Sequence, residues 1–229
     1  MTFSLAGRCE RTGAVGAVIA SASMAVAARC LAVRAGAGAV CSQSTTDPRL
    51  RAELLDAIAG GLAAPDALAA LVGRTADPGR PADPGRAPDL AYRQLAVIDA
   101  TGGSACFSGD FALGLAIDVR AAGAAAAGNL LADSGVPAAM LAAFAGRPGE
   151  VLGDRLIAAL QAGLAAGGEV SPVRSAGLLI AESAPWPVTD LRVDWHEDPV
   201  GQLAWLWQLW RPQADSYVVR ALRPAEIVG

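Results

Sequence analysis

A chain of 229 residues, 53% of them hydrophobic, has enough apolar material to bury a core in one large domain or two small ones. Its 18 positive charges are all Arg and stand against 22 Asp and Glu, so a net charge of -4 offers no basic surface to nucleic acid or to an anionic membrane. Four cysteines, Cys9, Cys30, Cys41 and Cys106, lie far apart with no Cys-x-x-Cys pair; this speaks against a zinc knuckle or redox dithiol and reads as buried thiols in a reducing, cytoplasmic compartment.

Met1-Thr2-Phe3-Ser4 opens a run from Thr2 to Cys9 that reads as a strand. Glu10-Arg11-Thr12-Gly13 turns it, and Ala14 to Ser21, small and β-branched, returns as a second strand, which predicts an N-terminal hairpin with Gly13 free to take a positive φ. Residues 1–28 also carry the outline of a signal peptide, with Arg8 and Arg11 ahead of an apolar run to Ala28. Glu10 among the basic residues, and a run with one Ile and no Leu, argue against export. No stretch reaches 18 apolar residues without Arg or a Gly and Ser break, so no membrane span is expected. Gly36-Ala37-Gly38 fails as a dinucleotide fingerprint because Cys41 stands where a third glycine should be.

Gly38 to Gln43 reads as another buried strand. Asp47 as N-cap and Pro48 at the first helical position then open a helix carrying Leu50, Leu54, Leu55, Ile58 and Leu62, with Gly60-Gly61 as stop or kink. A second helix starts near Pro65-Asp66. The repeated Asp-Pro-Gly-Arg of 77–80 and 83–86 breaks any period and predicts a surface loop over 74–89. Tyr92 to Asp99 and Ser104 to Ser108 read as a strand pair about the turn 100–103. Residues 109–127, rich in Ala and Gly, yield no element.

Gly128-Asn129-Leu130-Leu131 leads into a helix from Val136 to Ala145. A longer helix from Glu150 to Ala166 has Leu152, Leu156, Leu160 and Leu164 on one stripe, which is a packing face. Ser175 to Ala181 and Thr189 to Asp194 read as strands separated by Pro185-Trp186-Pro187. A helix from Pro199 to Trp210 sets Leu203, Trp207 and Trp210 on one side, while Trp205, Leu206 and Leu209 widen the apolar face. So wide a face predicts burial on two sides, hence a subunit contact and a homo-oligomer. The tail 212–229 yields no element. Strand pairs separated by helix pairs predict an α+β domain over 1–211, with two antiparallel sheets packed face to face and helices outside.

Several of these stretches, in this order, resemble the bacterial family labelled domain of unknown function 1028. The matching pieces are Met-Thr-Phe-Ser at the start, the Thr12-Gly13 turn with Gly16-Ala17-Val18 and Ala20-Ser21, and Ala39-Val40 running into Gln43. Further on come Arg93-Gln94-Leu95, Val97-Ile98-Asp99, Gly128-Asn129-Leu130-Leu131, Ala166-Gly167-Gly168, and Asp190-Leu191-Arg192-Val193-Asp194 with His196. The resemblance implies a four-layer αββα sandwich of the Ntn-hydrolase type, with the N-terminal residue at the end of a central strand facing a cleft, and cleavage of amide bonds by that residue. The chain departs from the family pattern at Glu169 to Ala176, at Ala127 where Gln is common, and at Trp195 before His196.

The chemistry expected of Thr2 follows from its position. With Met1 removed, its hydroxyl is a nucleophile and its own α-amine, with an ordinary pKa of about 7.7 to 8.0, is the base. With Met1 retained, Thr2 is an ordinary strand residue. Asn129 is the candidate oxyanion donor, or else an Asn satisfying a turn. Gln43 and Ser23 are candidates for positioning the amine or substrate. Arg192 and Asp194, alternating on one strand face, make an ion pair or bind a substrate carboxylate. His196, the only histidine, precedes a helix among acids, where capping and ion pairing explain it better than metal ligation. The expected function is hydrolysis of a small amide or peptide-like metabolite with neither metal nor cofactor; the alternative is a catalytically silent domain that binds a small molecule or assembles through its Trp-rich helix.

Overall fold

Thr2–Arg8 (β1) and Val15–Ser21 (β2) form the expected hairpin, in which Gly13 takes φ 76°. The computed structural model describes residues 1–75 and 90–226. After the hairpin come two elements that the sequence does not announce, the short helix Val26–Cys30 (α1) and the strand Leu31–Arg34 (β3). Gly38–Ser44 (β4) pairs with β3, and Arg49–Ala59 (α2) follows. Helix α2 starts one residue later than expected, with Pro48 at its N-cap, yet the Asp47 carboxylate still accepts the Arg49 N–H at 3.0 Å. Ala64–Thr75 (α3) takes up the first two residues of the stretch 74–89 predicted as a loop, and the rest of that stretch lies outside the described residues.

Arg93–Asp99 (β5) and Ser104–Ser108 (β6) pair as expected. The Ala- and Gly-rich region then supplies Ile117–Ala121 (β7) and Ala124–Asn129 (β8), so Gly128 and Asn129 close a strand. Val136–Ala145 (α4) and Leu152–Ala165 (α5) are followed by Ser175–Ala181 (β9), Thr189–Val193 (β10) and Pro199–Trp210 (α6). The tail contains one more helix, Ala214–Leu222 (α7), whose Tyr217 ring stacks on Trp210 with centroids 5.1 Å apart.

The result is a mixed α+β structure with two antiparallel sheets, one of six strands in the order β10-β9-β2-β1-β8-β7 and one of four in the order β3-β4-β5-β6. Strand side chains alternate between faces, and β1 shows the consequence. Phe3 and Leu5 join Met140, Phe144, Leu156, Leu160, Leu203 and Trp207 under α4, α5 and α6. Ala6 joins Ile19, Ala125 and Ala127 against Ala39, Cys41, Ala96 and Ile98 of the four-stranded sheet. On the far side of that sheet, Val40, Leu95 and Val97 pack on Leu50, Leu54, Leu68 and Leu71 of α2 and α3. Strand β1 lies inside the six-stranded sheet, and its first residue opens onto the space between the two sheets. Helix α6 buries Leu203 and Trp207, while Trp205 and Leu209 remain exposed. Among the described residues no helix is long and apolar enough to cross a membrane.

Candidate functional site

Hairpin register assembles the site. Phe3 opposite Ala20 and Ser4 opposite Ile19 put Thr2 beside Ser21, while Thr2 pairs with Asn129 on β8 and Ser21 with Ser175 on β9. Directly opposed residues share a face, so Ser175, Ser21, Thr2 and Asn129 form a polar row across four adjacent strands, pointing at the four-stranded sheet. All four are buried. Thr2 Oγ1 donates to the Met1 carbonyl and lies 3.3 Å from Ser21 Oγ. The Ser21 hydroxyl accepts the Ser23 N–H at 3.0 Å and donates to the Met1 carbonyl at 2.5 Å, so its proton has a fixed direction. Ser175 Oγ donates to the Ser23 carbonyl at 2.5 Å and accepts the Val26 N–H at 3.2 Å, pinning the loop after β2. Ser23 therefore enters the site through its backbone, and its side chain is exposed.

Behind Asn129 stands a chain of amides. Gln94 Oε1 accepts from Asn129 Nδ2 at 3.1 Å and from Gln43 Nε2 at 2.8 Å, and its Nε2 lies 2.9 Å from both the Gly128 carbonyl and Ser108 Oγ. Gln43 Oε1 in turn accepts the Ser4 hydroxyl at 2.7 Å. Gln43 is thus part of the wall, its amide bonded to Ser4 and Gln94 and, among the described residues, not to Thr2. The network also fixes how the Asn129 amide points. Its nitrogen goes to Gln94, and its Oδ1 is buried with no hydrogen-bond partner among the described residues. The atom left over is an acceptor, so Asn129 is better suited to receive an N–H than to hold an oxyanion.

Next to Met1 and Ala22 is a residue that the sequence did not single out as functional. Gly167 and Gly168, at φ 119° and 59°, turn the chain after α5 and bring Glu169 into a bridge with Leu131. Glu169 is 6% exposed; its Oε1 accepts the Ala22 N–H, and its Oε2 is buried with no donor among the described residues. Burial pushes its carboxyl up to about 7, opposed by the Met1 ammonium and the Ala22 N–H. Burial likewise pulls the Met1 amine below its ordinary 8.0, against the pull of Glu169. Cys30, whose thiol burial pushes up, is close enough for its charge to bear on that amine. The Glu169 carboxyl and the Met1 amine therefore act on one another at the residue whose carbonyl takes the Thr2 hydroxyl, and burial holds the acid at about 7.

Hairpin arithmetic on residues 2–21 is enough to find Ser21. Nothing in the local sequence ties Glu169 or Gln94 to residue 2, because both arrive through long-range pairing. Two expected residues lie elsewhere. Arg192 and Asp194 end up at β10, three strands from β1 at the sheet edge. There the Arg192 guanidinium pairs with Asp190 at 2.6 and 2.7 Å, the same spacing as Asp194 in the opposite direction, and the Asp194 carbonyl accepts the Ala25 N–H at 3.0 Å. His196 Nδ1 accepts the Asp198 N–H at 3.0 Å, and Asp198 caps α6 by accepting the Gly201 N–H at 3.0 Å. Among the described residues no group of three His, Cys, Asp or Glu side chains could hold a metal ion.

Comparison with known proteins adds two likenesses. The profile of a family of unknown function, DUF1028, matches residues 2–203. A Silicibacter pomeroyi protein of known crystal structure, also of DUF1028, is 32% identical and superposes with a TM-score of 0.78, covering 91% of this chain and 85% of its own. No curated protein matches the chain.

Proposed function

The chain belongs to the DUF1028 family, whose function is unknown, and from that premise we propose that it is an N-terminal-nucleophile amidohydrolase acting on a small amide or peptide-like metabolite, with Thr2 as nucleophile and base once Met1 is removed. The observation that carries this reading is the setting of Thr2 at the head of an interior strand, where Ser21 donates to the Met1 carbonyl, Asn129 lies opposite Thr2 in register and the charge of Glu169 acts on the Met1 amine. Thr2 Oγ1 would attack the substrate carbonyl carbon and pass its proton to the Thr2 α-amine. The amine would then protonate the leaving nitrogen as the C–N bond breaks, and water would cleave the ester left on Oγ1. The Ser21 hydroxyl, which now donates to the Met1 carbonyl, is the donor proposed for the developing oxyanion. Asn129 Oδ1, buried on the residue opposite Thr2 and without a partner among the described residues, is the acceptor proposed for the freed amine.

Three successive apolar cores, helix on sheet, sheet on sheet and sheet on helix, support the four-layer αββα arrangement of Ntn-type hydrolases. Four free thiols suit a cytoplasmic compartment. The exposed Trp205 and Leu209 suit a homo-oligomer through α6, a reading that a monomer in sedimentation velocity would remove.

One observation favours the silent alternative: the Met1 carbonyl already occupies both the Thr2 and the Ser21 hydroxyls. Intact-mass measurement decides between the two, with loss of Met1 expected. On a panel of aminoacyl and acyl p-nitroanilides, Thr2→Ala should lower turnover by about 10³-fold or more while Thr2→Ser keeps most of it. Full turnover by Thr2→Ala would rule out Thr2 as nucleophile.

A further inference from the structure

The group attached to the Thr2 nitrogen shows what the space beside Thr2 accommodates. Met1 is an aminoacyl group in amide linkage to Thr2. Its carbonyl oxygen takes the Thr2 and Ser21 hydroxyls, and its ammonium is the positive charge acting on Glu169. In the ester intermediate of the proposed reaction, the substrate's acyl group would be joined to Oγ1 of this same residue. Its carbonyl would then lie within reach of the same Ser21 hydroxyl, and its α-substituent would extend toward the same carboxylate.

Glu169 is built to meet a cation there. Its Oε1 is fixed by the Ala22 N–H, the double glycine holds its backbone against Leu131, and Oε2 is buried without a donor among the described residues. A buried carboxylate oxygen with no partner is costly, and an ammonium group satisfies its charge and its lone pairs together. The site offers the opposite preference to a blocked or acidic acyl group, which would leave Oε2 unpaired or repelled.

We infer that the cleft selects substrates whose acyl part carries a free α-amine, that is, aminoacyl amides and peptides with an unblocked N-terminus, with Glu169 binding the ammonium and Ser21 the carbonyl. The inference rests on the proposal that Thr2 is the nucleophile. The reaction is a hydrolysis: the acyl C–N bond gives way to an acyl bond to Thr2 Oγ1, the leaving amine takes the proton that Oγ1 gave up, and water releases the free amino acid.

Binding and turnover test the inference and its premise separately. With Thr2→Ala, checked by mass for loss of Met1, titration calorimetry should show L-methioninamide binding at least about tenfold tighter than N-acetyl-L-methioninamide, and Glu169→Gln should remove that preference. Equal binding of the two amides, no saturable binding of either, or a preference that survives Glu169→Gln would overturn the inference whatever the catalytic result. Turnover of methionyl and N-acetylmethionyl p-nitroanilide by the unsubstituted chain gives the same comparison without any variant. If Thr2→Ala abolishes turnover but the two anilides are cleaved alike, the ammonium preference fails and the nucleophile stands; if Thr2→Ala turns over fully while the binding preference holds, the premise fails alone.

Discussion

Glu169 links the site to the stability of the whole chain. A carboxyl that burial has pushed up to about 7, from an ordinary 4.5, holds its proton more tightly in the folded chain than in the unfolded one. The associated stability is therefore fully present below 4.5 and is lost as pH rises through about 7. In the chain that retains Met1, the loss should be on the order of 1 to 3 kcal/mol between about pH 5 and about pH 8, and Glu169→Gln should abolish it. The Met1 amine is shifted downward, so its own contribution grows as pH rises, and only the difference between wild type and variant with the same N-terminus isolates Glu169. Urea melts of both proteins at the two pH values make the measurement, and parallel curves would contradict it. At this scale the sequence made Thr2 and Asn129 candidates that register turned into direct neighbours, and it left Ser21 to simple counting. It could not mark Glu169, because what distinguishes that carboxylate is burial beside residue 1 and not its own neighbours in the chain.

Helices and strands were legible wherever periodicity had large side chains to act on, and illegible where it had alanine. The helices α2, α4, α5 and α6 and the strand pairs β1–β2, β5–β6 and β9–β10 all follow from leucine spacing, alternation and turn residues. Strand β8 contains Ala124 to Ala127, buried throughout, and offers no alternation to read. Helix α1 has only five residues and no side-chain cap. It packs where β9 has no side chain: a Cβ on Gly177 would lie 2.3 Å from Ala27 Cβ. Gly177→Ala should push α1 away, and with it the loop whose backbone Ser21 and Ser175 hold, at a cost of about 1 to 3 kcal/mol in urea unfolding. Gly73, exposed inside α3 with nothing within 4 Å of a Cβ, is the opposite case. Gly73→Ala should stabilise by roughly 0.5 to 1 kcal/mol through helix propensity alone. If the two substitutions moved the midpoint in the same direction, the close approach at Gly177 would not be the reason that position is glycine.

The whole molecule depends on how two sheets, each assembled from distant segments, are held in register with one another. Sequence order predicted two sheets with helices outside, but not that the hairpin β9–β10 would extend the sheet begun by β1 and β2, since nothing local specifies a partner some 150 residues away. Most of the space between the sheets is filled by small apolar side chains, which set a distance but little lateral position. Gln94 supplies the missing specificity: from the four-stranded sheet it donates to the Gly128 carbonyl and accepts from Asn129 on the six-stranded one, and it also accepts from Gln43 beside it. Replacing it with Leu would leave Gln43 Nε2, Asn129 Nδ2 and the Gly128 carbonyl without that partner inside the core. An orphaned buried polar group costs about 1 to 3 kcal/mol, so Gln94→Leu should destabilise by on the order of 3 kcal/mol in denaturant unfolding. Gln43→Leu alone removes the oxygen that accepts the Ser4 hydroxyl and frees one lone pair of Gln94, whereas Gln43→Leu on top of Gln94→Leu removes a group that the first change had already stranded. The double variant should therefore cost less than the sum of the singles, by about 0.5 to 3 kcal/mol. Strict additivity would mean that the amide chain is a set of independent contacts, and that the wall behind Asn129 does not hold the two sheets in register as a unit.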